Sequence, residues 1–357
     1  MNKVAAVFGT RPEFIKLAPL IRLLGDLAIP IHTGQHFDSS LSAEILAEVS
    51  LPEPVVNLGV GGQSRAAQIG NSLIGIERVI GGVDGVIVQG DTNSSLAGAL
   101  AANAMEIPLF HVEAGLRSFD RRMPEEHNRV LVDHISDFCW APTEGNVRNL
   151  RSEAIADERI ILTGNTIVES LEGMRPTMDD VELVAREVGM MTRQFVLATL
   201  HRPENVDDPE RLARIIERLG DLPVPTIFPM HPRTRASLEV AEIALPERVR
   251  VIDPVSYKTF LALMAGAGLV ISDSGGVQEE VSVLKVPLIV LRRSTERPEV
   301  LGTFASLTDD PVEMFERAVA VLDSGESIYT DLAEIPTPYG DGTASLKMFE
   351  TLEAALK

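Results

Sequence analysis

The sequence predicts an α/β fold in two domains, each a parallel sheet covered by helices on both faces. Two observations carry this. Short apolar runs alternate from end to end with longer segments whose apolar residues recur at i, i+3 and i+4, the pattern of successive βαβ units. A more polar junction at 172–187, containing Arg175-Pro176, separates one such series from a second. The length agrees: 357 residues exceed one ordinary core and suffice for two.

Taken in order, the strand-like runs of the first series are residues 3–8, 85–89, 107–112 and 160–162. Those of the second are 195–200, 226–228, 249–252, 269–271 and 288–291. They read as two Rossmann-like sheets, which bind ligands beyond the carboxyl ends of their strands.

Composition narrows the partners. Lys and Arg number 32 against 52 Asp and Glu, a formal charge of −20. A general nucleic-acid binder would need a basic face, so nucleic acid is not an expected partner. No apolar run reaches the roughly 18 residues that cross a bilayer, so no membrane is expected. The first residues, MNKVAAVFGTRPE, do not read as a signal peptide. The single Cys139 lies between Phe138 and Trp140 and reads as a buried thiol. A cytoplasmic location is expected.

The chain is organised around residues 268–284. An apolar run, Leu269-Val270-Ile271, is broken by Ser272-Asp273-Ser274. Gly275-Gly276 lets the backbone turn, and helical spacing follows with Glu279 and Glu280 in its first turn. Strand, small loop and helix N-terminus is the geometry that presents free N–H groups to phosphate. A carboxylate at that place can accept bonds from a ribose diol. The alternative is an ordinary strand-to-helix turn capped by its Ser.

Other strand ends carry chemistry too. The first strand runs into Gly9-Thr10-Arg11-Pro12, with Pro12 suited to a first helical turn. Arg11 and Lys16 are then cations near a helix N-terminus, where they oppose the dipole and call for a compensating anion such as a diphosphate. The G-x-G-x-x-G fingerprint is absent, so NAD and FAD are not expected. Asp91 follows one apolar run and Glu113 ends the next, just before Gly115 and Arg117; Glu125-Glu126 comes a few residues later. Strand-end carboxylates in a cleft are candidates for acid–base work. For Glu125 and Glu126 the alternative is that they open a helix and complement its dipole. In the second half, His201 and Arg202 follow a strand directly. His spacings match none of the usual zinc patterns, so no metal is expected.

Together these segments resemble the non-hydrolysing UDP-N-acetylglucosamine 2-epimerases. The matching stretches, in order, are FGTRPEFIKLAP, TGQH, GDTNSSLAGALAA, HVEAGLRS, MPEEHNR, TGNT, HRPEN, SDSGGVQEE, TERPE and PYGDG. The resemblance implies a two-domain glycosyltransferase-B-like fold with the active site in the interdomain cleft. The domains are then 1–170, completed by a returning helix 343–357, and 171–342. It implies interconversion of UDP-GlcNAc and UDP-ManNAc with no cofactor, by elimination of UDP to a glycal and re-addition, in a homodimer. Carried over residue by residue, Asp91, Glu113, Glu125 and His201 are catalytic. Arg11, Lys16, Arg117, Arg202, Ser274, Gly275 and Gly276 bind the substrate, Glu280 takes the ribose hydroxyls and Phe260 lies beside the base.

The departures concern substrate and regulation. HRPEN stands where HRREN is usual, Arg293 where an Asp is common, and Arg121-Arg122 occupies a loop that varies among relatives acting on other sugars. A UDP-diacetamido-uronate or a dTDP-6-deoxysugar is therefore an alternative substrate, and a hydrolysing relative an alternative activity. From another class, a retaining glycosyltransferase or a nucleotide-sugar binder shares the fold. Regulated members bind a second UDP-GlcNAc through a TGQH-type loop and a later Arg. Here Phe37-Asp38 follows TGQH and Gly62 takes the Arg position, which argues against activation by substrate.

Overall fold

The computed structural model describes residues 3–35, 54 and 56–357. They form two compact units, Met1–Gly173 with Tyr339–Lys357, and Met174–Pro338.

The first unit is built on a sheet whose described strands are β1 (Val4–Phe8), β2 (Ala28–His32), β3 (Val56–Asn57), β4 (Gly85–Gln89), β5 (Leu109–Val112), β6 (Phe138–Ala141) and β7 (Ile160–Leu162). The order is β3-β2-β1-β4-β5-β6-β7, and all pairings are parallel. The central strands β1 and β4 are buried along their whole length. That is why they read as unbroken apolar runs rather than as alternating ones. Helix Ala344–Ala355 packs on helix Arg11–Leu24 and buries Met348 and Leu352. Ser345 N–H and Oγ donate to Glu169 Oε1, both at 3.0 Å.

The second unit carries β8 (Val196–Thr199), β9 (Thr226–Pro229), β10 (Val249–Ile252), β11 (Leu269–Ser272), β12 (Leu288–Leu291) and β13 (Ala305–Thr308). Their order is β10-β9-β8-β11-β12-β13, again parallel throughout. Its core gathers Leu200, Leu212, Ile216, Phe228, Ile271 and Leu291 with their neighbours. The polar junction proves to contain an amphipathic helix, Met178–Glu187, which buries Val181 and Ala185. It packs against helix Tyr257–Gly266.

Strands β2, β3, β6 and β13 were not anticipated from the sequence. β2 contains Pro30 and ends in His32, β3 has two residues, and β6 reads Phe-Cys-Trp-Ala without a β-branched residue. β13, at the sheet edge, has two half-exposed members. None shows the Val/Ile-rich run of a central parallel strand.

Both sheets reverse their strand order once, between β1 and β4 and between β8 and β11. In an open parallel sheet the crevice at such a reversal is where ligands bind. In the first unit the strands there lead into Gly9 and Gly90; in the second they lead into Leu200 and Asp273.

Candidate active site

At the end of β1 the chain turns tightly. A Cβ on Gly9 would lie 2.1 Å from Ser94 Oγ and 2.2 Å from Thr33 Oγ1, so only glycine fits. Helix Arg11–Leu24 then begins, and its Glu13 folds back under the turn. Glu13 Oε2 accepts from Gly9 N–H at 3.0 Å and Thr10 N–H at 2.7 Å. Its Oε1 accepts from Thr92 Oγ1 at 2.8 Å and Ser95 Oγ at 3.1 Å. Burial nevertheless raises its pKa to about 7, the four donors opposing that only in part. The backbone amides of this turn that could have held phosphate are thus occupied by a carboxyl of the same helix. Arg11 lies at the helix start, half-buried.

Lys16 has a partner within the chain. Its Nζ forms a buried ion pair with Glu113. Gln89 Nε2 donates to Glu113 Oε2 at 2.6 Å and Asn165 Nδ2 to Oε1 at 2.8 Å. Glu113 holds a left-handed backbone, φ 67°, which side chains other than glycine rarely adopt and which costs of order 1–3 kcal/mol. The anion that offsets Lys16 near the helix N-terminus therefore comes from within the chain.

The β4–β5 register places Gln89 opposite Val112. Asp91, two residues beyond, and Glu113, one beyond, thus leave the same edge of the sheet. Asp91 is ion-paired to the buried Arg129, which also pairs with Glu126. Asn128 Nδ2 donates to the Asp91 carbonyl at 2.8 Å. Asp91 keeps 28% of its side chain exposed, whereas Glu113 keeps 4%.

The Glu125-Glu126 pair divides. Glu126 is buried and accepts from Ser118 N–H at 3.0 Å, Ser118 Oγ at 2.8 Å and Phe119 N–H at 2.8 Å. Burial pushes its pKa up, but these donors and Arg129 outweigh it and leave the pKa below the usual value. Glu125 is exposed in the first turn of helix Pro124–Ile135. Arg117 is not brought to this group. It is buried between Asp133, at 2.8 Å, and Glu153, at 2.6 Å, and Asp133 also meets His111 Nδ1 at 2.6 Å. Arg117 thus braces the packing behind β5.

In the second unit Asp273, fully buried one residue past β11, organises the loop after β8. Its carboxylate accepts from His201 N–H at 3.1 Å, Arg202 N–H at 2.9 Å and Asn205 Nδ2 at 3.0 Å. His201 Nδ1 is 3.2 Å from it, and Arg202 Nε donates to the Asp273 carbonyl at 2.9 Å. His201 and Arg202 are both partly open to solvent.

Ser274 precedes helix Gly275–Leu284 and makes no side-chain capping bond. The ordinary Ser-capped turn is therefore not what forms, and the first N–H groups of the helix have no intrahelical acceptor. The helix begins at Gly275, so Glu280 stands in its second turn rather than its first. A Cβ on Gly275 would sit 2.7 Å from Arg297 NH1 and Glu296 Oε1. On Gly276 the nearest atom would be Glu280 Oε1, at 3.8 Å. Glu280 Oε1 accepts from Tyr257 Oη at 2.7 Å. Phe260, one turn on from Tyr257, is half-buried.

Sequence reasoning singled out no role for Glu13, Gln89, Asn165, Tyr257 or Asp273. Glu13, Asn165 and Asp273 lie inside segments it did notice, GTRPE, TGNT and SDSGG. Gln89 reads as the last residue of a strand, two positions before Asp91. Nothing marked Tyr257. Phe37 and Asp38 lie outside the described residues. Gly62 has φ 73°, where an Arg side chain would be strained. Among the described residues no group of three or more His, Cys, Asp or Glu could hold a metal ion.

The family model for UDP-N-acetylglucosamine 2-epimerase matches residues 27–353. The chain belongs to this family. A UDP-N-acetylglucosamine 2-epimerase of Methanocaldococcus jannaschii is 40% identical over 98% of each chain. A UDP-2,3-diacetamido-2,3-dideoxy-D-glucuronate 2-epimerase of Pseudomonas aeruginosa is 36% identical over 98% of this chain and 99% of its own. Among solved structures, the M. jannaschii UDP-GlcNAc 2-epimerase in complex with UDP-GlcNAc and UDP matches with a TM-score of 0.86 and 39% identity, covering 99% of both chains. The family's glycosyltransferase-B-like architecture fits the two parallel sheets described above.

Proposed function

We propose that this member of the family epimerises a nucleotide sugar at C2, with UDP-GlcNAc and UDP-ManNAc as the pair interconverted. The observation that carries the reading is the pair of carboxylates, Asp91 and Glu113, leaving the adjacent strands β4 and β5 at one edge of the first sheet, where β4 borders the reversal of strand order. Each has its own cationic neighbour, Arg129 and Lys16. A glycosyltransferase has no need of a base at C2.

The C2 proton of a pyranose is not acidic, so abstraction needs a simultaneous departure. A base takes the C2 proton as UDP leaves C1, and a glycal remains. A proton then enters the opposite face of C2, and UDP adds back to C1. Asp91, Glu113 and Glu125 handle the protons in this reading. Charge develops on departing UDP, and cations and helix N-terminal amides suit it. The second unit offers both: the uncapped helix start at Gly275-Gly276, and the Arg202 guanidinium beside His201 on the Asp273-held loop. Arg11 adds a cation at the first sheet. Glu280 takes the ribose hydroxyls and Phe260 lies beside the base.

The diacetamido-uronate remains the second substrate reading, because a relative of nearly the same similarity carries that name. A homodimer is the proposed assembly. Among the described residues no helix is long and apolar enough to cross a membrane. The one cysteine, deeply buried, suits a cytoplasmic protein. The test is incubation with a panel of nucleotide sugars in D2O, followed by NMR. Deuterium should enter C2 of the true substrate without added NAD or metal. Epimerisation that retained the original C2 hydrogen would rule out the elimination route.

A further inference from the structure

Helices Tyr257–Gly266 and Gly275–Leu284 meet through a side-chain bond that the reaction itself does not require. Tyr257 Oη donates to Glu280 Oε1 at 2.7 Å, with Tyr257 3% and Glu280 7% exposed. The phenol stands at the first position of its helix, whose N-cap Ser256 accepts from Thr259 N–H at 3.2 Å. Its place is therefore fixed by a capped helix start. The Glu280 carboxylate lies close to where a Gly276 side chain would be, so it faces the open first turn of its own helix. A glutamate side chain has three rotatable bonds and loses rotamer freedom when one orientation is selected. A hydroxyl bond to one oxygen selects that orientation before any ligand arrives. A carboxylate offers about four acceptor sites, so the Tyr257 bond to Oε1 does not by itself exhaust them.

We infer that Tyr257 is a positioning residue that pre-orients Glu280 and thereby makes the nucleotide site select ribonucleoside over 2′-deoxyribonucleoside diphosphates. This rests on the reading of Glu280 as the ribose contact proposed above. It extends that reading from a binding contact to a discrimination between classes of nucleotide, and so separates UDP-sugars from dTDP-sugars.

The experiment measures dissociation constants of UDP and 2′-deoxy-UDP by calorimetry for the full chain and for Tyr257→Phe and Glu280→Gln, with thermal melts on the same samples. The unaltered chain should prefer UDP by about tenfold or more, the lower end for a bond to a charged group. Glu280→Gln should bring the ratio close to one. Tyr257→Phe should reduce it at least about threefold while leaving 2′-deoxy-UDP affinity nearly in place. A purely structural role for Tyr257 would weaken both ligands alike and leave the ratio unmoved, which overturns the inference. So does a Tyr257→Phe chain that fails to fold, since the bond would then belong to helix packing. If Glu280→Gln leaves the ratio unchanged, the ribose reading itself fails, and that result is distinct from a silent Tyr257→Phe.

Discussion

Lys16 and Glu113, 97 residues apart in sequence, form a buried ion pair between the helix after β1 and the end of β5. Each is a candidate for contact with substrate, and each is also the other's compensation. Removing one partner of a buried pair strands the other charge. Lys16→Met should therefore cost about 3–5 kcal/mol of stability. The double variant Lys16→Met/Glu113→Gln should melt several degrees above the single one and still show no turnover. Equal melting of single and double variants would mean that the pair is uncoupled.

Asp91→Asn, Glu113→Gln and Glu125→Gln keep shape and remove proton chemistry. Each should lower turnover at least about 10²-fold, with UDP affinity nearly kept. Glu125 is the most exposed to failure, because it stands open in a first helical turn, where an acidic residue contributes only about 0.3–1 kcal/mol through the dipole. A Glu125→Gln enzyme that melts early and turns over normally would make Glu125 a helix-opening residue.

Glu13 gives the stability a pH dependence of definite sign. Its folded pKa of about 7 lies above the 4.5 expected unfolded. The folded state therefore binds the proton more tightly, and that contribution is present below pH 4.5 and lost as pH rises through 7. Glu13→Gln does not titrate. The stability of the unaltered chain relative to Glu13→Gln should fall between pH 5 and 8, by an amount on the order of 2–3 kcal/mol. Melts at four pH values read it; a difference constant with pH would mean that Glu13 ionises normally.

Adjacent glycines should respond in opposite ways. Gly275→Ala drives a methyl into Arg297 and Glu296 and should cost about 1–3 kcal/mol. Gly276→Ala meets nothing closer than 3.8 Å and should melt no lower, since Ala favours a helix. Its loss should appear in UDP affinity. Undiminished UDP binding by Gly276→Ala would remove this helix start from the nucleotide site.

Cys139 is fully buried, and burial raises its thiol pKa to about 12. A thiol reagent at pH 8 should label it only as fast as the chain unfolds, a rate that denaturant accelerates. Rapid labelling of active enzyme would contradict the burial.

The sequence was most legible where the chain is driest. β1 and β4 are continuous apolar runs because both faces are covered, and residues just past such runs lie at a sheet edge by geometry alone. That located Asp91, Glu113, His201 and the Gly275-Gly276 turn. It could not show what surrounds them, because the partners come from distant segments. Lys16, Gln89 and Asn165 converge on Glu113 only once β1, β4 and β7 have taken their places in the sheet. Arg117 shows the same dependence on distant segments. The sequence places it just past the end of β5, and only the fold reveals that two acidic residues, Asp133 and Glu153, hold it in the interior.

The first unit is finished by residues 339–357, which are synthesised only after the whole of the second. At typical rates of elongation about 165 residues separate the two by roughly ten to thirty seconds. Throughout that interval the face of helix Arg11–Leu24 that will receive Met348 and Leu352 has no cover. A message broken before codon 339 would yield a chain that lacks the helix packed on Arg11–Leu24, and with it part of the first unit.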